Sequence, residues 1–567
     1  MMRWIALAGI VLLGVAAVVL SERRKVDVLP GPAALLYLVA DTEQELTRMP
    51  AKFTRMSDEE EIRIGNDIAR SYRSRRETRE DPEASAIENY VSQVGLRLAS
   101  HAHRKLPYRF HYIPERYFIN AFALPGGQVY VGAGLIELMD SEDELAAVIG
   151  HEIEHIDHYH CAERVQREQA MRKIPLGELI ALPIEVFEAG YSKDQELEAD
   201  REGTRLAVEA GYSPNGAIRM FETFQRLYQE YQTRAKTPQK ELSRVAIETL
   251  GGYFRSHPLP SERIAQVRQM IASEHWPTRP ERDLPVAFVF WTDKAKDALD
   301  AHKFALAQQL ATRSLQLRPG QQKALEVLAR AQFAQADFSG AAGSYRKILD
   351  LDASRLAAGY SPLYAQALAA ADRQRAAAEF HQWMESIKGG KPQELQVPMA
   401  GLSLLAGDAT PAQNAVAYAN ANAAEDWAPD WFGNLAWWYY LAGDYPTALD
   451  LLSNAVQQRP GEVRFTTDRA WVQIESRKLA DALQSLNAVY GITDNQSDRT
   501  MARAVAFWQA RRLDESLRDF EAATAGQPEW NNPLWVKALY SPLVVQSIEQ
   551  MRSERERRRK VHTAGSR

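Results

Sequence analysis

A chain of 567 residues, 46% hydrophobic and 25% charged, is too long for one hydrophobic core and has the composition of an ordinary soluble protein of two or three domains. Its formal net charge of −6 gives no sign of the basic domain that a nucleic-acid partner requires. The single cysteine, Cys161, excludes an internal disulfide and leaves the compartment open.

The chain begins with a targeting element. Arg3 precedes an unbroken apolar run over residues 4–20, and Arg23, Arg24 and Lys25 follow it. Seventeen helical residues span about 25 Å, the short limit for crossing a bilayer. Residues 1–25 are therefore a signal peptide or a membrane anchor. No small-x-small cleavage site precedes the polar stretch, and basic residues on both flanks leave the topology open. Export of the body is the expectation, with an anchored form facing the cytoplasm as the alternative.

After a linker over residues 26–56, residues 57–280 read as one domain. Two amphipathic helices start it, in "MSDEEEIRIGNDIARSYRS" and "IENYVSQVGLRLASHA". The aromatic and β-branched stretch "YRFHYIPERYFINAFALPGGQVYVGAGLIELM", broken by Pro-Gly-Gly, predicts a hairpin or small sheet. Ser141 and Glu144 then form a capping box ahead of a histidine-rich helix. "IPLGELIALPIEVFEAGY" is apolar but interrupted by prolines and acids, and predicts a loop or short helix near the site. "QELEADREGTRLAVEAGY" is a helix ending at Gly211. The prolines around the linker 281–285 close the domain.

Residues 286–540 are Ala- and Leu-rich and helical throughout. Phe304 and Phe338 occupy matching positions 34 residues apart, as do Tyr445, Leu479 and Leu513. Pro319, Pro460 and Pro528 each follow their anchor by fifteen residues. This is the period of the tetratricopeptide repeat, with weaker copies near Arg375 and Ala409. Such helix pairs stack because none can bury its apolar face alone. Residues 541–567 are basic and too polar to fold alone, so a disordered tail is expected.

The chemistry lies in the histidine helix. His151, Glu152 and His155 form His-Glu-x-x-His, which sets two imidazoles one turn apart on one face. Both can reach one zinc ion at about 2.1 Å. Glu152 lies about 100° around the helix, where it can act on a water as general base without being a ligand. A catalytic zinc needs a third protein ligand. Glu196 in "QELEADREG" is the candidate, with Asp200 one turn later placed to hydrogen-bond a ligating imidazole. Glu198 points elsewhere and reads as a solvated charge. His158 and His160 lie past the motif, with a packing or supporting role.

The order Asn120-Ala-Phe-Ala-x-Pro-Gly-Gly, His151-Glu-x-x-His, Glu196-x-x-Ala-Asp200 and Ser256-His257-Pro258 resembles the zinc metallopeptidase family that includes HtpX and the CAAX prenyl endopeptidases. Within it the chain is most similar to the BepA-like branch, which carries C-terminal tetratricopeptide repeats. The resemblance implies an α+β zincin-like (gluzincin-type) metallopeptidase domain followed by an all-α repeat solenoid. It implies one zinc ion per chain on His151, His155 and Glu196, with Glu152 as general base. It also implies that Asn120, Ala121 and Phe122 begin an edge strand where an extended substrate adds, and that His257 lies near the metal and can hold the site latent. Arg263 reads either as a charge for the developing oxyanion or as a surface salt bridge.

These readings converge on a periplasm-facing zinc endopeptidase acting on protein substrates. The resemblance implies misassembled outer-membrane proteins as substrates, and the outer-membrane assembly machinery as a partner of the repeats. The rival is a repeat-based scaffold or chaperone whose peptidase domain is latent. Two departures from the branch stand out: the missing cleavage site and a repeat array longer than is usual there.

Overall fold

The computed structural model describes residues 56–74, 81–171, 187, 191–234, 260–277, 279–387, 392–489 and 496–565. The N-terminal apolar run, the linker up to residue 55 and Ser256-His257-Pro258 lie outside the described residues. The chain divides into two compact units, residues 1–285 and 286–567. No described helix is long and apolar enough to cross a membrane.

In the first unit, helix α1 (Asp58–Ser74) opens with four acidic residues, which favour the positive end of the helix dipole. Helix α2 (Pro82–Ala99) is capped by Asp81, whose side chain accepts from the Glu83 N–H at 2.9 Å. Its Ile87, Val91, Val94 and Leu98 are buried at helical spacing. Three short strands follow: β1 (Arg109–Ile113), β2 (Ala121–Leu124) and β3 (Gln128–Gly132). The sheet order is β1-β3-β2, with β1 parallel and β2 antiparallel to β3, so among the described residues β2 is an edge strand.

Pro125-Gly126-Gly127 turns β2 into β3, and both glycines have positive φ (74° and 102°). A Cβ on Gly126 would lie 2.4 Å from the Ile62 Cα, so the turn packs directly on α1. Glu61 accepts from the Gly126 N–H at 3.1 Å and pairs with the buried Arg104. The Arg104 guanidinium also donates to the Ile156 carbonyl at 2.6 Å. One buried ion pair therefore ties α1 and the hairpin turn to the end of the histidine helix.

After the single turn α3 (Ala133–Ile136), that helix is α4 (Glu142–Asp157). Ser141 caps it by accepting from the Glu144 N–H, but the Glu144 carboxylate accepts from Asp140 rather than closing the box on Ser141. Helices α5 (His160–Met171), α6 (Lys193–Glu209), α7 (Asn215–Arg234) and α8 (Pro260–Glu274) follow among the described residues. Ser192 and Gln195 form a reciprocal capping box at the start of α6.

The second unit is a run of helical hairpins. Ala287–Asp300 pairs with Phe304–Leu317, Gln322–Ala334 with Phe338–Leu351, Ala353–Ala371 with Arg373–Ser386, and Gln396–Leu405 with Thr410–Ala421. Ala428–Ala442 then pairs with Tyr445–Gln458, Val463–Glu475 with Leu479–Ala488, and Gln496–Gln509 with Leu513–Gly526. Each of the five sequence anchors is the first residue of the second helix of its pair.

The 34-residue period has a backbone cause. His302, Ala336, Gly443, Arg477 and Arg511, each two residues before an anchor, have φ between 55° and 85°. The next residue donates its N–H back across the turn, as Asp337 does to the Gln332 carbonyl at 2.9 Å and Lys478 to Gln473 at 2.8 Å. This is a Schellman stop, and the donating residue is also the N-cap of the following helix. One left-handed residue thus ends one helix and starts the next.

The expected disordered tail is instead ordered as a helix, Pro542–Gly565. Val544, Ile548 and Met551 form a buried stripe at spacings of four and three and join the core of the repeats. The charges beyond Met551 concealed that stripe in the sequence. They are paired along the helix, with Arg557 and Arg558 both donating to Glu554 at 2.7 to 2.9 Å.

Only Gly443 among the five left-handed turn residues avoids the clash of a Cβ with the backbone. Ala336→Gly is expected to stabilise the repeats by about 0.5–1 kcal/mol, the left-handed strain relieved less the added freedom of the unfolded chain. Urea unfolding followed by circular dichroism would register this as a higher midpoint; an unchanged or lower midpoint would mean that Ala336 is not strained.

Candidate metal centre

Helices α4 and α6 touch through their backbones. A Cβ on Gly203 would fall 2.6 Å from the His151 N, and one on Gly150 would fall 2.8 Å from the Gly203 O. No residue but glycine allows that approach at either position. It brings the His-Glu-x-x-His face of α4 against the Glu-x-x-x-Asp face of α6.

His151, His155 and Glu196 are all buried, and one potential ligand atom from each lies within 4.8 Å of the others. The two Nε2 atoms are 3.1 Å apart. Glu196 Oε2 is 3.4 Å from His151 Nε2, and Oε1 is 3.7 Å from His155 Nε2. Two imidazole nitrogens and a carboxylate converging in a buried spot are the donor set that suits a divalent metal. Among the described residues this is the one such cluster.

The far sides of both imidazoles are held. His151 Nδ1 is 2.8 Å from Asp200 Oδ1, as the i+4 spacing from Glu196 anticipates. Asp200 is gripped in turn by Arg263, whose Nε and Nη2 donate at 2.6 and 2.5 Å. Arg263 is buried and stacks over the Phe221 ring at 4.2 Å. It is therefore not a surface salt bridge: one edge of its guanidinium, Nε and Nη2, is spent on Asp200, and the residue also lines the pocket of His151 and Glu152.

His155 Nδ1 lies 3.0 Å from His160 Nδ1, and His160 Nε2 lies 3.3 Å from Glu198. Glu198, read as a solvated charge, is thus part of the support of His155, and it also meets His158 at 3.7 Å. The hydrogen-bonding chain Glu198–His160–His155 parallels Arg263–Asp200–His151. Arrangements of this kind fix the tautomer and orientation of ligating histidines.

The electrostatics favour a cation. Burial opposes a charge on His151, but hydrogen bonds and charge from Asp200 and Glu196 outweigh it and lift its pKa to about 10. Burial pushes Glu152 up to about 7, with the neighbouring His151 pulling the other way. Burial also works against the Asp200 carboxylate, yet Arg263 and His151 hold it below the usual range. Glu152 and His151 share a pocket with Ala121, Leu135, Met220, Phe221 and Phe224.

Three residues important here carried no usable signal in the sequence. Gly150 and Gly203 were legible only as helix-weakening glycines. Tyr191 stacks on His155 with centroids 4.0 Å apart, and its N–H donates to Glu196 Oε1 at 3.1 Å.

Removing one member of the buried Arg263–Asp200 pair leaves the other's charge poorly answered. Arg263→Met is expected to destabilise the first unit by about 3–5 kcal/mol, and Asp200→Asn with Arg263→Met by less than the sum of the singles. Denaturant melts of the four proteins measure this; a single-variant loss under about 1 kcal/mol would contradict a buried, coupled pair.

Residues 85–271 match the model of peptidase family M48, and residues 292–355 and 434–497 match a tetratricopeptide repeat. A Vibrio cholerae protein named for β-barrel assembly enhancement is 32% identical over 233 residues, 37% of this chain and 44% of that protein. The β-barrel assembly-enhancing protease of Escherichia coli (strain K12) is 28% identical over 232 residues, 37% of this chain and 43% of that one. The mitochondrial metalloendopeptidase OMA1 of Arabidopsis thaliana is 28% identical over 164 residues, 28% of this chain and 30% of its own length. The match to the two bacterial relatives thus spans less than half their length. This chain joins a domain of peptidase family M48 to C-terminal tetratricopeptide repeats.

Proposed function

We propose that the protein is a zinc-dependent endopeptidase of the bacterial cell envelope, and that its repeats recruit or gate protein substrates. The observation that carries this reading is the buried convergence of His151, His155 and Glu196 with Glu152 beside them. These three side chains would hold one zinc ion. Bound there, zinc would polarise the scissile carbonyl and lower the pKa of water toward about 7.

Glu152 follows His151 on the helix and shares its pocket, so it accepts a proton from the attacking water and returns it to the leaving amine. Its rise to about 7 comes first from burial, which suits a group that must hold and release a proton. Asp200 and His160 keep the two imidazoles in orientation from behind.

An extended substrate is proposed to pair with the edge of β2 at Ala121. The Gly132 N–H donates to the Asn120 carbonyl at 3.0 Å, so Asn120 and Gly132 sit in hydrogen-bonded register. Alternation along an antiparallel pair then turns the N–H and C=O of Ala121 away from β3, toward the edge, while the outward carbonyl of Ala123 faces Cys161. Ala121 also lines the pocket of His151 and Glu152. A peptide added there by strand pairing would run past the acid–base residue, with sequence tolerance because backbone atoms make the bonds. The bacterial relatives are named for β-barrel assembly, and misassembled outer-membrane proteins are proposed as substrates here, with their assembly machinery as the repeats' partner. His257 is proposed to hold the enzyme latent until a substrate or partner displaces it.

Zinc content and casein cleavage of the full chain test this. Glu152→Gln is expected to retain zinc and lose at least about 100-fold in rate. Glu196→Ala should lose both zinc and cleavage, and His257→Ala should cleave faster than wild type. Undiminished cleavage by Glu152→Gln would refute the assigned base, and stoichiometric tight zinc in Glu196→Ala would refute the ligand set.

A further inference from the structure

Tyr191 stands just before the α6 capping box, 36 residues after His155 in sequence, yet it touches two of the three candidate ligands, His155 and Glu196. It is itself buried. Its ring lies flat on the His155 imidazole, with centroids 4.0 Å apart and planes 20° from parallel. Its backbone N–H donates to Glu196 Oε1 at 3.1 Å, the oxygen that faces His155 Nε2. Its hydroxyl is 3.1 Å from the Cys161 sulfur, and Cys161 Sγ is 3.7 Å from the Ala123 carbonyl on β2. The Arg164 guanidinium lies over the ring as well, 5.3 Å from its centroid.

We infer that Tyr191 is a positioning residue that fixes the angle between two metal ligands, His155 and Glu196, by holding one through its ring and the other through its backbone. This rests on the proposed metal site and extends it. An imidazole on a helix turns about its χ2 torsion over a broad, roughly two-fold well. The hydrogen bond to His160 restrains the His155 ring at one atom, and a flat ring stacked on its face removes the remaining rotation. The Glu196 carboxylate has the same freedom at its terminal torsion, and the Tyr191 N–H directs one of its oxygens. The two restraints issue from a single residue, so the two ligands keep a fixed relation to each other.

The hydroxyl has a different part. The Tyr191 O–H and the Cys161 S–H form a strut from the ring to the Ala123 carbonyl, and it seats the ring. Tyr191→Phe keeps the stack and the backbone N–H, and loses only the strut.

The test is the zinc dissociation constant of the full chain, by competition with a chromophoric chelator, together with the shift in thermal midpoint on adding zinc. Wild type and Glu196→Gln set the scale. Tyr191→Phe is expected to bind zinc within about threefold of wild type, and Tyr191→Leu to bind 10–100-fold more weakly, the range for losing a group that orients a ligand. The zinc-induced midpoint shift should shrink for Tyr191→Leu and hold for Tyr191→Phe. A merely structural role lowers the midpoint with and without zinc alike and leaves the dissociation constant in place; that result overturns the inference. Should Tyr191→Leu not fold, Tyr191→Met fills a similar volume without a flat face and is expected to show the same loss. If wild type holds no zinc, or Glu196→Gln binds it equally well, the metal site itself fails and the role of Tyr191 with it. Normal wild-type binding with an unaffected Tyr191→Leu removes the positioning role alone.

Discussion

The site depends on two helices meeting without side chains between them. At Gly150 and Gly203 the backbones of α4 and α6 are so close that a methyl group on either would collide with the other helix. The distances between functional side chains of the two helices follow from that contact. His151 is the next residue after Gly150, and Asp200 lies three residues before Gly203, so their side chains meet at 2.8 Å. Glu196, one turn further back, reaches the two imidazoles. With larger residues at the crossing the helices would separate by an ångström or more, and a ligand triangle of 3 to 4 Å sides would open.

That proximity creates an electrostatic problem which the surrounding residues answer. Glu152, Glu196 and Asp200 are all buried, and burying carboxylates without compensation costs several kcal/mol each. Arg263 answers Asp200, arriving from α8 with a two-pronged grip. Glu196 faces the imidazoles and the Tyr191 N–H. The remaining negative potential raises the proton affinity of His151, the same potential that would favour a divalent cation in its place. The supporting groups are thus arranged around charge, and the apolar residues of the pocket keep that charge away from water, where it would be screened.

What the sequence disclosed was what periodicity encodes. His151, His155, Glu196 and Asp200 are spaced by helical turns, so one residue type at i and another at i+4 is enough to name a face. The repeats were legible for a similar reason: the residue after each tight turn recurs every 34 positions. What it hid were pairings across unrelated segments. Nothing local to "SERIAQVR" says that Arg263 is buried against Asp200, and nothing in "AGYSKDQE" says that Tyr191 lies on His155. Glu198 was misread because its place on α6 was judged without the turn at Tyr159, whose left-handed backbone (φ 63°) swings His160 back toward that helix. The final helix was misread because its charges outnumber the three apolar residues that bury it.

The most direct measurement of the central claim is the X-ray absorption spectrum of the purified full chain loaded with one equivalent of zinc. The account predicts a first shell of nitrogen and oxygen only, at about 2.0–2.1 Å, with the outer-shell scattering of two imidazoles. Glu196→Ala should remove that signature and Glu152→Gln should leave it intact. A sulfur scatterer near about 2.3 Å, which would place Cys161 on the metal, or a spectrum unchanged by Glu196→Ala, would contradict it.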